Sequence, residues 1–64
     1  MYYVAGTFEG RHIWAALHRE EVCWTDHKPD AAPFSEDRAK RIAAGAPSYL
    51  EHVRLMPMLN YLAA

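Results

Sequence analysis

Four histidines and a single cysteine are the residues of this sequence best suited to metal chemistry. His18, Cys23 and His27 are separated by four and by three residues, and His12 lies a little upstream. Imidazole and thiolate are ligands that zinc accepts, but a closed structural site needs four of them in tetrahedral geometry. No C-x-x-C or H-x-x-x-H pair is present, so the spacing favours a strand cysteine and solvated histidines. We therefore predict no metal and no cofactor, and keep a small zinc-stabilised module as an alternative.

Cys23 and His27 also raise the question of a thiol nucleophile with an imidazole base. Such catalysis needs an oriented imidazole, a third orienting group and a pocket for the substrate. A chain of 64 residues has little volume for a cleft of that kind. No P-loop, G-x-G-x-x-G, G-x-S-x-G or H-E-x-x-H motif occurs. We expect the protein not to be an enzyme.

The charged residues nearly cancel, with seven basic and eight acidic side chains. This balance disfavours direct binding of nucleic acid, which needs clustered positive charge. Arg38 and Arg41 share one side of a predicted helix, whereas Lys40 lies well around from them. We interpret Arg38 and Arg41 as solvated charges that could serve at the rim of a protein interface. A nucleic-acid-binding regulator is a second alternative.

The composition, 52% hydrophobic and 23% charged, predicts a single globular domain over residues 1–64. No apolar run approaches the length of a membrane span, and the first residues do not resemble a signal peptide. One cysteine excludes an internal disulfide framework and suits a reducing compartment. We expect a cytoplasmic location without membrane contact. Because so short a chain builds only a small core, we expect a monomer of marginal stability or a weak homodimer.

The N-terminal part of the sequence predicts three antiparallel strands joined by two short turns. Apolar and small residues alternate over residues 2–8 and 11–18 around the turn Glu9-Gly10, and a third strand is expected over 21–25. Pairing Phe8 with Arg11 and His18 with Glu21 sets both registers. Tyr2 then lies opposite Leu17, Val4 and Trp24 lie opposite Ala15, and the core face consists of Tyr2, Val4, Gly6, Ile13, Ala15, Leu17, Val22 and Trp24.

A loop over residues 26–33 and a helix over 36–44 are predicted next. Ser35 is a good N-cap, and acidic residues fill the first turn, where the helix dipole favours them. Gly45 is placed as the residue after the helix end. A narrow apolar stripe of Ala39, Ile42 and Ala43 can lie on the sheet.

The segment after Pro47 fits both a strand and a helix. Alternation from Tyr49 to Met56 permits a strand that stops at Pro57, whereas Tyr49, Leu50, Val53 and Met56 also fit helical spacing. Val53 and the proline favour the strand, and a helical turn could follow over residues 57–61. The predicted fold is α+β, with a sheet of three or four antiparallel strands and one helix on a face.

The aromatic residues supply the candidate binding site. Tyr3 and Trp14 fall on the face of the sheet opposite the core, together with Cys23 and several alanines. Either the C-terminal residues from Met56 onward cover that face or it stays open as a patch that binds a protein. We predict Tyr3 and Trp14 as partner contacts, with Arg38 and Arg41 at the rim. Trp14→Ala should then weaken binding more than Arg41→Ala.

The order of these elements resembles a type of very small phage and mobile-element protein. The resemblance rests on a tight N-terminal hairpin leading to C-W-T-D at residues 23–26, then Phe34 and S-E-D-R-A-K-R-I at 35–42, and V-x-L-x-P at 53–57. Some proteins of this type are anti-CRISPR proteins. The resemblance implies a non-enzymatic protein that binds and blocks a host protein or ribonucleoprotein, most specifically a type I CRISPR effector complex. It carries over no catalytic residue.

Overall fold

The computed structural model describes residues 1–58, which form a four-stranded antiparallel sheet with one α-helix on it. The strand order is β3-β2-β1-β4. The chain thus has the predicted α+β fold, and its last described segment is a strand. The elements in chain order are β1 (Tyr2–Phe8), β2 (Arg11–His18), β3 (Glu21–Thr25), a 3₁₀ turn (Lys28–Asp30), α1 (Glu36–Ala44) and β4 (Glu51–Pro57).

Both predicted hairpin turns are present. Phe8 pairs with Arg11, and His18 pairs with Glu21. The central residues of each turn have positive φ, at 50° and 79° in Glu9-Gly10 and at 51° and 67° in Arg19-Glu20. Two-residue turns with this conformation match the right-handed twist of the strands that they join. Turn length therefore fixes both registers, as the sequence predicted.

The predicted pairings of Val4 with Ala15 and of Tyr2 with Leu17 are wrong, because the first hairpin opens at its far end. The β1–β2 ladder runs from Phe8 to Ala5, and Tyr2 exchanges two backbone hydrogen bonds with Phe34, at 2.7 and 2.8 Å. The Ala32 N–H donates to the Ala15 carbonyl at 3.1 Å. The segment 31–34 thus lies between the diverging ends of β1 and β2 and supplies the bonds that they no longer give each other.

The pairing of β4 with β1 contains a bulge beside Gly6. The register shifts between Ala5 and Thr7, so that one extra residue of β4 is accommodated there. His52 takes up the kink with a φ of 53°. A β-carbon at Gly6 would lie 3.2 Å from the Glu51 carbonyl oxygen and 3.3 Å from Val53 Cγ2. A side chain at this position would therefore require the bulged strand to give way by a few tenths of an ångström.

The helix begins and ends where the sequence predicted. The Arg38 N–H donates to Ser35 Oγ at 3.3 Å, which is the N-cap bond. Gly45 ends the helix with a φ of −97°, so the left-handed conformation expected of a glycine after a helix is not used. The described chain holds no helix with the length and apolar character needed to cross a bilayer. The helical turn predicted over 57–61 extends into residues outside the described part.

The core lies between α1 and one face of the sheet, mainly over β1 and β4. Val4, Ala15, Phe34 and Ala39 are its buried centre. Val53 and Leu55 of β4 pack against this centre. The helix packs mainly on β1 and β4. The core reaches β2 and β3 through Ala15 and Trp24, whereas Leu17 and Val22 of the same two strands remain exposed.

Gly6→Ala should lower the free energy of unfolding by about 1–3 kcal/mol, because its methyl group must displace a backbone carbonyl across the bulge. Gly45→Ala is the matched control. Its β-carbon would lie 3.5 Å from the Arg41 carbonyl oxygen, which is ordinary contact, and its backbone suits any residue. Urea unfolding of both variants measures the difference. Equal stability of the two variants would contradict the close approach at Gly6.

Candidate protein-binding surface

The helix side of β2 and β3 carries apolar residues that α1 does not cover. Leu17 is 43% exposed and Val22 is 37% exposed, although both point toward the side on which the helix packs. Tyr49, which follows the helix, is 58% exposed and meets the Phe8 ring edge-on at 5.1 Å between centroids. We call this surface the open strip, formed by Phe8, Ile13, Leu17, Val22, Trp24 and Tyr49.

Trp24 stands at the middle of the open strip and separates two depressions. One, of about 230 Å³, lies toward Phe8, Ile13 and Tyr49. The other, of about 410 Å³, lies between β3 and the helix. We call the second depression the arginine groove, lined by Val22, Trp24, Arg38, Arg41, Ile42 and Gly45.

The two arginines of the groove are the helix cations without an acidic partner among the described residues. Lys40 is paired with Glu36 at 3.1 Å. The hydrogen bond and the positive charge of Lys40, with a further hydrogen bond from Tyr2, hold the pKa of Glu36 below its ordinary value. The same pair raises the pKa of Lys40. The charge of Lys40 is therefore neutralised within the helix, whereas Arg38 and Arg41 make no ion pair with the described residues.

The guanidinium group of Arg38 is held in place by an aromatic ring. Its central carbon lies 5.2 Å from the centroid of the Phe34 ring, which is a cation–π distance. Phe34 is buried in the core. Because a guanidinium stacked on a ring keeps its N–H donors at the edge of its plane, Arg38 can still bind a carboxylate with two parallel hydrogen bonds.

The outer face of the sheet, where the sequence predicted the binding patch, is largely buried. Tyr3 is only 6% exposed, and Ala5 and Ala16 are buried with it. The 3₁₀ turn after β3 packs against β2. The prediction of Tyr3 as an exposed contact is therefore wrong, since its side chain belongs to the interior.

Trp14 is half-buried on that outer face. It stacks at a tilt on His12, with 6.1 Å between ring centroids. It lines a small depression with Lys28, Arg54 and Met56. The four predicted site residues thus do not form one site: Tyr3 and Trp14 lie on one face of the sheet, and Arg38 and Arg41 lie on the other.

The histidines and the cysteine of the described residues do not come together as a metal-binding cluster. Within residues 1–58, no group of three or more His, Cys, Asp or Glu side chains is arranged to hold a metal ion. Cys23 is half-buried and free. The zinc-stabilised alternative has no ligand cluster in this part of the chain to support it.

Leu17 and Val22 are the residues that the sequence placed in the core and the structure leaves exposed. Trp24 is half-buried and packs against the core, as the sequence predicted. The signal that part of this face would be uncovered is the small area that a single nine-residue helix can cover. Nine residues span about 14 Å, and a helix about 10 Å wide covers roughly two strands spaced at about 4.8 Å.

Comparison with protein families, with curated proteins and with solved structures finds no match to this chain. The geometry of the open strip and of the arginine groove is therefore what bears on function.

Val22→Ala should cost less than about 1 kcal/mol of stability, because this side chain lies outside the packed core. Val4→Ala removes the same atoms from a fully buried position and should cost about 2–3 kcal/mol. Chemical denaturation of the two variants compares them directly. A loss at Val22 as large as that at Val4 would show that the open strip is part of the core.

Proposed function

We propose that this protein acts by binding another protein through the open strip and the arginine groove, without catalysis. The observation that carries the proposal is the apolar strip beside two unpaired guanidinium groups. Single exposed apolar residues are ordinary, but a contiguous strip rimmed by charge is typical of an interaction surface. Its members are drawn from β1, β2, β3 and the segment after the helix, so a rigid scaffold holds them together.

The apolar part of the surface favours a partner with aromatic or aliphatic side chains. Trp24 has a depression on either side, and a tryptophan flanked by pockets is typical of the residues that carry most of the affinity of an interface. Leu17 and Val22 extend the apolar area along the strands.

The charged part favours acidic groups on the same partner. The guanidinium group of Arg38 is positioned by its contact with the Phe34 ring. Arg41 follows one helical turn later along the groove. Two guanidinium groups at this spacing suit two carboxylates of an extended segment. The partner that we propose is therefore a protein segment in which acidic and large apolar residues alternate.

The sequence resemblance adds a narrower proposal, in which the partner belongs to a host complex that a phage or mobile-element protein blocks. A type I CRISPR effector complex is the most specific candidate. This assignment rests on the resemblance alone, and stays a prediction beside the surface described above. The variants Arg41→Glu and Lys40→Glu test this narrower proposal. The readout is the plating of a targeted phage on cells that carry an active type I system.

Arg41→Glu should weaken binding of an acidic, apolar peptide about tenfold, because it reverses a charge that faces the bound carboxylates. The probe is a blocked peptide in which glutamate and phenylalanine alternate, titrated against the labelled protein by amide NMR. Shifts should concentrate on Val22, Trp24 and Arg38.

Lys40→Glu is the matched control, since it makes the same charge change on the same helix but on the side already paired with Glu36. It should leave the affinity nearly unchanged. A peptide with lysine in place of glutamate should bind more weakly to the unaltered protein. Equal losses for both variants, or tighter binding of a single-stranded oligonucleotide than of the acidic peptide, would contradict the proposal.

A further inference from the structure

The outer edge of β3 presents unpaired backbone groups. β3 is the last strand of the sheet on its side. In the two-residue hairpin, His18 and Glu21 bond to each other, so Glu21, Cys23 and Thr25 direct their backbone groups toward β2. Val22 and Trp24 therefore direct their N–H and C=O groups outward. Among the described residues, no backbone hydrogen bond reaches them from outside the hairpin.

The two edges of the sheet differ in how they are protected. β4 carries a bulge at His52 and ends at Pro57. Pro57 lies opposite Tyr2, whose own backbone groups bond to Phe34 on the far side. The missing N–H of the proline therefore falls on the open edge, where it blocks pairing. β3 contains no proline, lysine or bulge, which are the usual means of preventing edge-to-edge association.

We propose that two copies of this chain pair through their β3 strands to form a continuous eight-stranded sheet. A symmetric antiparallel pair must place outward-directed residues opposite each other. The register that pairs all five residues of β3 has Cys23 on the two-fold axis. Val22 of each copy then exchanges two backbone hydrogen bonds with Trp24 of the other copy.

The side chains suit this register. Glu21 lies opposite Thr25 of the second copy, so no two like charges face each other directly within the five residues. Val22 and Trp24 meet on the helix side of the sheet, where pairing covers apolar surface that the single copy leaves exposed. Both arginine grooves then lie on one face and meet across the axis. Because pairing covers Val22 and Trp24, it competes with the proposed partner for this part of the open strip, and its test therefore contains no ligand.

Cys23 reports on the pairing. Residues opposite each other at a site without hydrogen bonds have α-carbons about 4.5 Å apart, within the range of about 4.4–6.8 Å that a disulfide spans. Diamide should therefore convert the two Cys23 thiols into an intermolecular disulfide, taking up their two electrons and two protons. Sedimentation of the reduced protein should show a rise with concentration from 7.3 kDa toward twice that mass.

Val22→Pro should weaken the dimer about tenfold or more and abolish the crosslink, because it removes an outward N–H that the single copy does not use. Val22→Thr is the matched control, since it keeps the N–H and the branched side chain and should still pair. Circular dichroism checks that both variants fold. If the proline variant does not fold, Val22→Lys places a charge at the same edge and should give the same loss.

Cys23→Ser separates pairing from chance oxidation, since it should sediment as a dimer without forming any crosslink. A protein that stays at 7.3 kDa at every concentration would overturn the proposal. So would a disulfide that forms equally fast in the proline and threonine variants. Either result leaves the peptide-binding proposal standing, because that proposal needs only one copy.

Discussion

The small area of the one short helix determines which part of the sheet is buried and which part stays exposed. The sheet has four strands, and α1, with nine residues, lies mainly over two of them. The covered half holds the packed centre around Val4 and Phe34, whereas the same face of β2 and β3 keeps Leu17 and Val22 in contact with solvent. These exposed apolar residues lie beside two arginines that have no acidic partner among the described residues, and this arrangement is what the proposed binding surface rests on.

The local features of the fold could be predicted from the sequence because each depends on a few neighbouring residues. Turn length fixed the registers at Phe8 and His18, and Ser35 marked the start of the helix. The predictions that failed are those of contacts between segments far apart in the sequence. Nothing near Tyr2 indicates that its partner is Phe34, since that pairing depends on how the first hairpin diverges and how residues 31–34 return to it. The bulge in β4 could not be predicted for the same reason, since it depends on how β4 pairs with the distant strand β1.

Two residues of the proposed surface, Arg38 and Arg41, are among those that the sequence singled out. Arg38 and Arg41 do face one groove, because helical spacing fixes which side they share. Tyr3 and Trp14 were placed on the correct face of the sheet, but that face is not an open patch. Periodicity tells which residues share a face. Which part of a face remains open depends on the area of the element that packs against it, and here one nine-residue helix is too small to cover four strands. The paired charges of Glu36 and Lys40 then leave the groove as the positive side of the helix.

The incomplete cover of the sheet can be measured with methyl groups and a soluble gadolinium chelate, which broadens NMR signals that it can approach. Dilute protein should show strong broadening of the Leu17 methyl signals and almost none of the Val4 signals, although both side chains point to the helix side of the sheet. Equal protection of Leu17 and Val4 would mean that the helix side is covered throughout. In that case the open strip would not exist as a binding surface.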